Sequence, residues 1–395
     1  MKVYIVGTGT DGGKTLTAEA KKAINAADVL IGAGRMVEGY RDCGKTVLEE
    51  YRSGEIRRFL EEGCFGTAAV LMSGDCGFFS GAAALAEALE DFDTEIICGI
   101  ASPVYLFSKL KMDWSDCNFV SLHGRSGNIV RAVCAHRLTF FLLGGEITAA
   151  QVCQRLCEYG RGAVKVYIGE RLGYPDERII SGRAEELTET DASGLCVLLA
   201  ENPDYERGIP GFIPDESFIR GSVPMTKAEV RCLAVAGLDI GRDDICWDIG
   251  GGTGSVSVAM ALQCERGRVF SVEREPVAAE LIRSNLRKFG CDNIEVREGD
   301  AVDTAAELPV PDCVFVGGSG GKLRDIVMTA AAKNSNIRLT VTAVSLETLS
   351  ECTAVFDELG FEAEITQIAV TRTKKAGTHT MLSAENPVFI IKRKL

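Results

Sequence analysis

Histidine and tryptophan are scarce in this chain, which has three His (His123, His136 and His379) and two Trp, and no two cysteines stand in a Cys-x-x-Cys spacing. A His-rich catalytic metal centre and a structural zinc therefore have no sequence support, and no metal is expected. Excess positive charge is also missing. A formal net charge of −13 leaves no field for wrapping nucleic acid, so an anionic partner must be met by a local group of Arg or Lys. No apolar run approaches the roughly 20 residues that cross a bilayer, and Met1 to Gly7 is too short for a signal-peptide core. We expect no nucleic-acid partner, no membrane and a cytoplasmic location. The 15 cysteines do not form a disulfide framework: they are odd in number, scattered, and mostly set in apolar segments such as Ile97-Cys98 and Cys313-Val314. They read as reduced, buried thiols.

What the chain does contain is enough apolar sequence for two cores. Its 395 residues exceed a single domain, and 46% hydrophobic with 25% charged residues is an ordinary globular balance. Lys2 to Val6 reads as a first strand, followed by the loop Gly7 to Gly13 and a helix that Thr17 can cap, with Ala20, Ala23 and Ala27 on one face. Gly7-x-Gly9-x-x-Gly12 fits the dinucleotide fingerprint, but the next strand, Val29 to Ile31, runs into Gly32-Ala33-Gly34-Arg35, without the acid that takes ribose hydroxyls. A two-domain NAD-dependent oxidoreductase and a non-catalytic nucleotide-binding regulator stay open as alternatives. Farther on, Ala68 to Met72 ends in Ser73-Gly74-Asp75-Cys76, Glu95 to Cys98 ends in Gly99-Ile100-Ala101-Ser102, and Phe119 to Leu122 ends in His123-Gly124-Arg125. Taken alone, Asp75 reads as an Asx-turn and Ser102 as a helix N-cap. Together, three polar loops after three strands can converge on one site.

The composition shifts between Asn202 and Pro224, where Pro203, Pro210, Pro214 and Pro224 alternate with Gly208, Gly211 and Gly221, as in a linker or lid. Thr226 and Glu229 then have the spacing of a capping box, and Lys227 and Arg231 lie one helical turn apart. Ile245 to Ile249 is a buried strand that stops in Gly250-Gly251-Gly252-Thr253-Gly254, where missing Cβ atoms let a ligand approach the backbone. The following strand, Arg268 to Val272, ends in Glu273, placed to accept both hydroxyls of a ribose. Ile294 to Val296 leads into Glu298-Gly299-Asp300-Ala301, and Cys313 to Val316 into Gly317-Gly318-Ser319-Gly320-Gly321-Lys322. Four consecutive strands thus deliver glycine or polar loops to one edge of a parallel sheet. The pattern favours S-adenosylmethionine over NAD, because no further glycine stands at Ser255 or Ser257 and Asp300 adds a contact on the adenine side.

Two resemblances are carried by these residues. Through Val6-Gly7-x-Gly9, Leu71-x-Ser73-Gly74-Asp75, Gly99-Ile100-Ala101-Ser102, Ser121-Leu122-His123-Gly124-Arg125 and the segment Gly169 to Glu177, residues 1–200 resemble the tetrapyrrole methylases of the cobalamin and sirohaem pathways. That resemblance implies a fold of two α/β subdomains with S-adenosylmethionine in the cleft. Gly9, Gly74, Asp75, Ala101 and Ser102 would lie at the cofactor; His123 and Arg125 would bind substrate carboxylate or order the subunit, with plain packing an equal alternative for His123. Thr10 and Cys76 stand where that family usually has proline.

Residues 210–395 resemble the precorrin methyltransferases that decarboxylate their substrate and methylate carbon 15. The match runs through Pro224-Met225-Thr226-Lys227, Trp247 to Ser257, Gly299-Asp300-Ala301 and Phe315 to Gly321. It implies a Rossmann-like sheet with cofactor at Thr226, Gly250, Gly251, Gly252, Thr253, Gly254, Glu273, Asp300 and Ala301. Substrate carboxylates would meet Arg220, Lys227, Arg231 and Lys322. The expected division is 1–202, a linker or lid at 203–224, and 225–395, all α/β, with one S-adenosylmethionine site in each domain. Precorrin or cobalt-precorrin is the expected partner, methylated at carbons 5 and 15 with loss of carbon dioxide. A homo-oligomer, dimer or tetramer, is expected from the families alone.

Overall fold

The computed structural model describes residues 1–11, 13–123, 127–145 and 147–394. In chain order the elements begin β1 (Lys2–Gly7), α1 (Ala18–Ala26), β2 (Val29–Gly32), α2 (Gly34–Val37), β3 (Thr46–Glu49), α3 (Ser53–Glu62), β4 (Thr67–Met72), α4 (Ala82–Ala88), β5 (Asp93–Ile97) and α5 (Ser102–Leu110). They continue with β6 (Cys117–Ser121), α6 (Ile129–Ala135), β7 (Leu138–Leu142), α7 (Ala149–Glu158), β8 (Lys165–Glu170), β9 (Arg178–Arg183) and β10 (Cys196–Glu201). The chain divides into two compact units. One comprises Met1–Ser126, Arg137–Gln154 and Ala163–Asn202; the other comprises Gly127–His136, Arg155–Gly162 and Pro203–Leu395.

The first unit contains two sheets. β1 to β5 pair in the order β3-β2-β4-β1-β5, all parallel. Parallel strands need crossover helices, which cover both faces, so β2 is buried at every residue and β1 and β4 are near-continuously apolar. Val3, Ile5, Val29, Ile31 and Val70 pack on one face against Ile56, Leu60 and Leu85; Val6, Leu30 and Leu71 pack on the other against Ala20, Ala23 and Ile24. Thr17 caps α1 as expected, its hydroxyl accepting from the Ala20 amide at 3.1 Å. The second sheet, β6-β7-β10-β8-β9, is parallel only at β6 and β7.

The second unit adds α8 (Ala228–Ala236), β11 (Ile245–Ile249), α9 (Ser255–Ala261), β12 (Arg268–Glu273), α10 (Pro276–Lys288), β13 (Ile294–Glu298), α11 (Ala301–Glu307), β14 (Cys313–Val316), α12 (Leu323–Lys333), β15 (Arg338–Ala343) and α13 (Leu346–Leu359), then β16 (Ala363–Ile368), β17 (Thr371–Ala376), β18 (His379–Ala384) and β19 (Val388–Arg393). Its sheet order is β13-β12-β11-β14-β15-β19-β16; the strands are parallel from β13 to β15, and β19 runs antiparallel between β15 and β16. The order reverses at β11 and β14, which makes the gap beyond their C-terminal ends the topological switch point. Trp247 of β11 is fully buried with Ile249, Phe270, Val314 and Phe356, and its Nε1 donates to Pro309 O at 3.1 Å. Truncating such an aromatic costs about 3–5 kcal/mol.

Two details depart from the sequence expectations. No capping box forms at α8: the N-cap is Lys227, without a side-chain cap bond. Glu229 is drawn instead to Arg372 of β17, so the capping partner is consumed by a tertiary ion pair. The ribbon β17–β18 carries no clear sequence signal, because Thr371 to Ala384 has little apolar alternation; β18 is exposed at every residue.

Candidate functional site

In the second unit, the turn after β11 owes its shape to three glycines at φ +81 (Gly250), +56 (Gly252) and +75 (Gly254), a region unfavourable to residues with a side chain. Gly250 N and Gly251 N donate to Val272 O at 3.0 and 3.1 Å, and Gly317 N donates to Ile249 O at 3.0 Å, so the turn is sewn to both neighbouring strands. A Cβ on Gly250 would stand 2.6 Å from Gly318 O, which shows two glycine loops meeting backbone to backbone. Glu273 points into this turn: Oε2 accepts from Gly252 N at 2.8 Å, while Oε1 accepts from Arg274 N and Glu275 N at 2.9 and 3.0 Å. A carboxylate offers about four lone-pair sites, so capacity remains for hydroxyls of a ligand. Thr253 is 1% exposed, and its Oγ1 has no hydrogen-bond partner among the described residues. An orphaned hydroxyl beside a glycine cradle fits a site built for a polar ligand.

Below the turn, Asp248 is buried at 1% exposure and accepts from the Ser257 hydroxyl, which also lies 2.8 Å from Ser271 Oγ. Burial pushes its carboxyl up to about 6 against the relief given by Ser257. Sequence reasoning missed this group, though an acid two residues before a glycine turn inside an apolar strand is a visible signal.

Asp300 caps α11, its Oδ1 accepting from Val302 N at 3.0 Å, and its Oδ2 meets Lys322 Nζ at 2.8 Å. Lys322 holds the Asp300 carboxyl below its usual range. Two residues expected to face different ligands are therefore ion-paired, and Ala301 opens the helix beside them.

The segment before α8 crosses the glycine turn. A Cβ on Gly252 would lie 3.2 Å from Pro224 O and 3.9 Å from Val223 Cγ1. Arg220 is exposed on this segment and Lys227 half-buried at the α8 start, its Nζ 4.0 Å from Asp215. Arg231, expected toward substrate, is 2% exposed. Its guanidinium bonds Asp215 at 3.3 Å, Thr226 O at 2.8 Å and Ile213 O, and lies 4.7 Å from the Phe218 ring. Those partners take three of its five N–H donors, and with its burial they make it an anchor of the linker. Thr226 contributes its carbonyl to that anchor.

In the first unit, the register aligns the ends of β4, β1 and β5, with Gly7 opposite Met72 and Val6 opposite Ile97. Gly9, at φ +74, exchanges two backbone bonds with Gly74 at 3.0 and 2.9 Å. A Cβ on Gly99 would fall 2.1 Å from Gly74 O. Asp75 Oδ2 accepts from Gly99 N at 2.9 Å and Oδ1 from Gly77 N at 2.8 Å, so the acid closes an Asx-turn and also ties two loops together. The α5 N-cap is Ala101, not Ser102, and Ala101 is buried. Cys76 sits under the junction, its Sγ 3.6 Å from Ile5 O and 3.5 Å from Ile97 O, with burial pushing the thiol up to about 11. Thr10 N donates to Thr15 Oγ1 at 2.9 Å, a bond that proline cannot make. The exposed His123 ring lies over Gly144, where a Cβ would stand 1.9 Å from Nδ1. Arg125, and Gly12 of the fingerprint, lie outside the described residues. The fingerprint does not open a helix, because α1 starts only at Ala18.

Both halves of the chain are similar to known proteins. Residues 217–393 match the model for the precorrin methyltransferase domain, and residues 2–188 the model for tetrapyrrole (corrin/porphyrin) methylases. A probable cobalt-precorrin-6B C(15)-methyltransferase (decarboxylating) from Pyrobaculum calidifontis is 42% identical over 46% of this chain and 94% of its own. The chain belongs to the precorrin methyltransferase family. A second family member with the same description, from Methanothermobacter thermautotrophicus, is 37% identical over 45% of this chain and 94% of its own. A crystal structure of precorrin-6y C5,15-methyltransferase from Geobacter metallireducens is 34% identical over 47% of this chain and 98% of its own, at a TM-score of 0.44.

Among the described residues, one group of metal-type donors lies close together: Asp244, Cys246 and Cys313. It stands at the start of β11, away from the glycine turn, and Asp244 Oδ2 is already engaged by Arg338 and Gly241 N, both at 2.6 Å. All cysteines are free thiols, although Cys43, Cys64 and Cys98 are exposed and not buried as a group. No helix among the described residues is long and apolar enough to cross a membrane.

Proposed function

We propose that this chain methylates a precorrin at carbon 5 through residues 1–202, and at carbon 15 with loss of the ring C acetate carboxylate through residues 225–395. Residues 203–224 join the two domains. Both reactions use S-adenosylmethionine, one site per domain, in a cytoplasmic pathway of corrin ring synthesis. The observation that carries the reading is the switch-point turn: three positive-φ glycines, the Glu273 carboxylate on Gly252 N and the unpartnered Thr253 hydroxyl. It is joined to the relatives' decarboxylating C(15)-methyltransferase activity in the matched half.

When bound, the donor supplies an electrophilic methyl group. Glu273 orients it through the ribose, and the glycine turn lets its chain approach the backbone. Pro224 and Val223 cover the turn and exclude water. Alignment of reactants can lower a barrier by roughly 7–11 kcal/mol, so the chemistry needs no enzyme nucleophile. Loss of carbon dioxide sends an electron pair into the conjugated macrocycle, which is its own sink. Substrate carboxylates are met by Arg220, Lys227 and Lys322, with His123 and Arg125 serving the first domain; Lys322 would exchange Asp300 for the substrate. Gly9, Gly74, Asp75, Ala101 and Ser102 frame the first donor site, and a homo-oligomer is the assembly we expect.

Equilibrium titration of the full chain with labelled S-adenosylmethionine should give two sites per chain. Product mass on metal-free and cobalt-loaded precorrin should then show two added methyl groups and one lost carbon dioxide. One donor site or none overturns the two-site reading, and tight NADH binding would restore the oxidoreductase alternative, which no observation above favours.

A further inference from the structure

Asn285 sits in the last turn of α10, fully buried, on a helix whose other inward residues are apolar. A buried carboxamide persists only where its donors and acceptor are used. Here three bonds use them. Nδ2 donates to Thr253 O at 2.8 Å and to Ile219 O at 3.0 Å, and Oδ1 accepts from Ile219 N at 2.8 Å. One end of the amide holds the glycine turn. Both ends hold the backbone of Ile219 in the linker, in the two-way manner of a β-bridge.

The same strap has other fixed points: Arg231 on Asp215 and Ile213, and the Phe218 ring 4.7 Å from Phe289. Past Ile219 come Arg220, Gly221 and Ser222, all exposed, then Val223 and Pro224 against Gly252. Asn285 is therefore the last anchor before the span that crosses the turn, and the one that bonds the strap and the turn at once. We propose that Asn285 is a positioning residue: its carboxamide sets the register of the 219–224 strap over the glycine turn, and so sets donor affinity and the placement of Arg220. This rests on the reading of that turn as a donor site.

The test uses the full chain with Asn285→Asp, which keeps size but replaces both donated bonds by repulsion from two carbonyls. A strap-side variant, Ile219→Pro, deletes the amide given to Oδ1 and leaves α10 intact should Asn285→Asp fail to fold. Without donor, limited trypsin digestion followed by mass spectrometry should show cleavage after Arg220 at least fivefold faster, with cleavage after the exposed Arg207 unchanged as the reference. Titration with S-adenosylmethionine should show one site weakened at least tenfold and the other unchanged. The KM for donor in the decarboxylating step should rise at least tenfold while kcat, at saturating donor, stays within about threefold. A purely structural role would lower Tm without that split. Faster cleavage with both donor affinities unchanged overturns the positioning role, as does unchanged cleavage in both variants. If the parent chain binds no donor in its second half, the donor-site reading fails by itself, and the digestion still decides whether Asn285 holds the strap.

Discussion

Both halves gather glycines at the C-terminal edge of a parallel sheet, but bending and close packing are divided among them differently. In the second unit the glycines bend one loop: Gly250, Gly252 and Gly254 all carry positive φ, and the neighbouring acid, Glu273, reaches that loop with capacity to spare. In the first unit Gly9 and Gly74 also carry positive φ, but Gly7 and Gly99 serve to let separate loops touch. Gly99 and Gly7 have ordinary φ, yet a Cβ on either would stand 2.1–2.6 Å from backbone atoms of another loop. The acid there, Asp75, likewise bonds amides with both oxygens, two bonds against the three of Glu273. Similar sequence signals, a glycine cluster with a nearby carboxylate, thus mark a loop bent at three positions in one place and a junction of three loops in the other.

The largest effect that separates them is Gly252→Val. A β-branched residue is strained at φ +56 and its Cβ would press on Pro224 O. Decarboxylation-coupled methylation should fall by roughly a thousandfold, about 4 kcal/mol of transition-state stabilisation, while methylation at carbon 5 stays within twofold. Assaying both product masses on one preparation checks this; parallel loss in a folded variant would show that the halves are not independent. Next is Gly99→Ala. Its φ tolerates a side chain, so the cost comes only from forcing the Gly74 and Gly7 backbones apart, about 3 kcal/mol by the measure of overpacked cores. Denaturant unfolding should show the first unit's transition move and the second's stay.

Much of this arrangement was legible in the residues. Strands ending in Gly7, Met72, Ile249, Glu273 and Val316 follow from largely apolar runs stopped at or just before a glycine or acid, because buried parallel strands have no polar face. Glu273 could be placed from motif spacing. What could not be read was competition for partners. Glu229 fits a capping box in sequence, but Arg372, more than a hundred residues away, takes it. Arg231 reads as a helix cation open to substrate carboxylates until Asp215, Phe218 and Ile213 close around it. Asn285 gives no signal in a helix pattern, since its three bonds reach two distant backbones.

Charge state under the second unit's turn gives a smaller, pH-dependent contrast. Asp248 has a folded value of about 6 against an ordinary 3.8, raised by burial. The folded chain therefore binds more protons than the unfolded chain between about pH 4 and 6, and this group's contribution to stability declines as pH rises through that window. Asp248→Asn removes the cost. The variant should match the parent near pH 4 and exceed it by about 2–3 kcal/mol at pH 7.5, since each tenfold change in proton affinity is worth roughly 1.4 kcal/mol. A stability difference that does not change with pH would place the carboxylate's burden elsewhere.

The smallest effect bears most directly on why the first unit keeps an acid at its junction. Asn at position 75 can still accept from one of the two amides now bonded to Asp75, but its NH2 must face the other, Gly77 N or Gly99 N. One lost bond to a charged acceptor is worth about 1.5–3 kcal/mol, with solvent at the half-exposed side chain bringing it toward the lower end. Asp75→Asn should therefore lower first-unit stability by about 1–2 kcal/mol and weaken donor binding there by less than tenfold, through the loop. Abolished binding in a variant of unchanged stability would mean that Asp75 meets the donor itself. The two units would then use their carboxylates alike, and the contrast would reduce to how each bends its glycines.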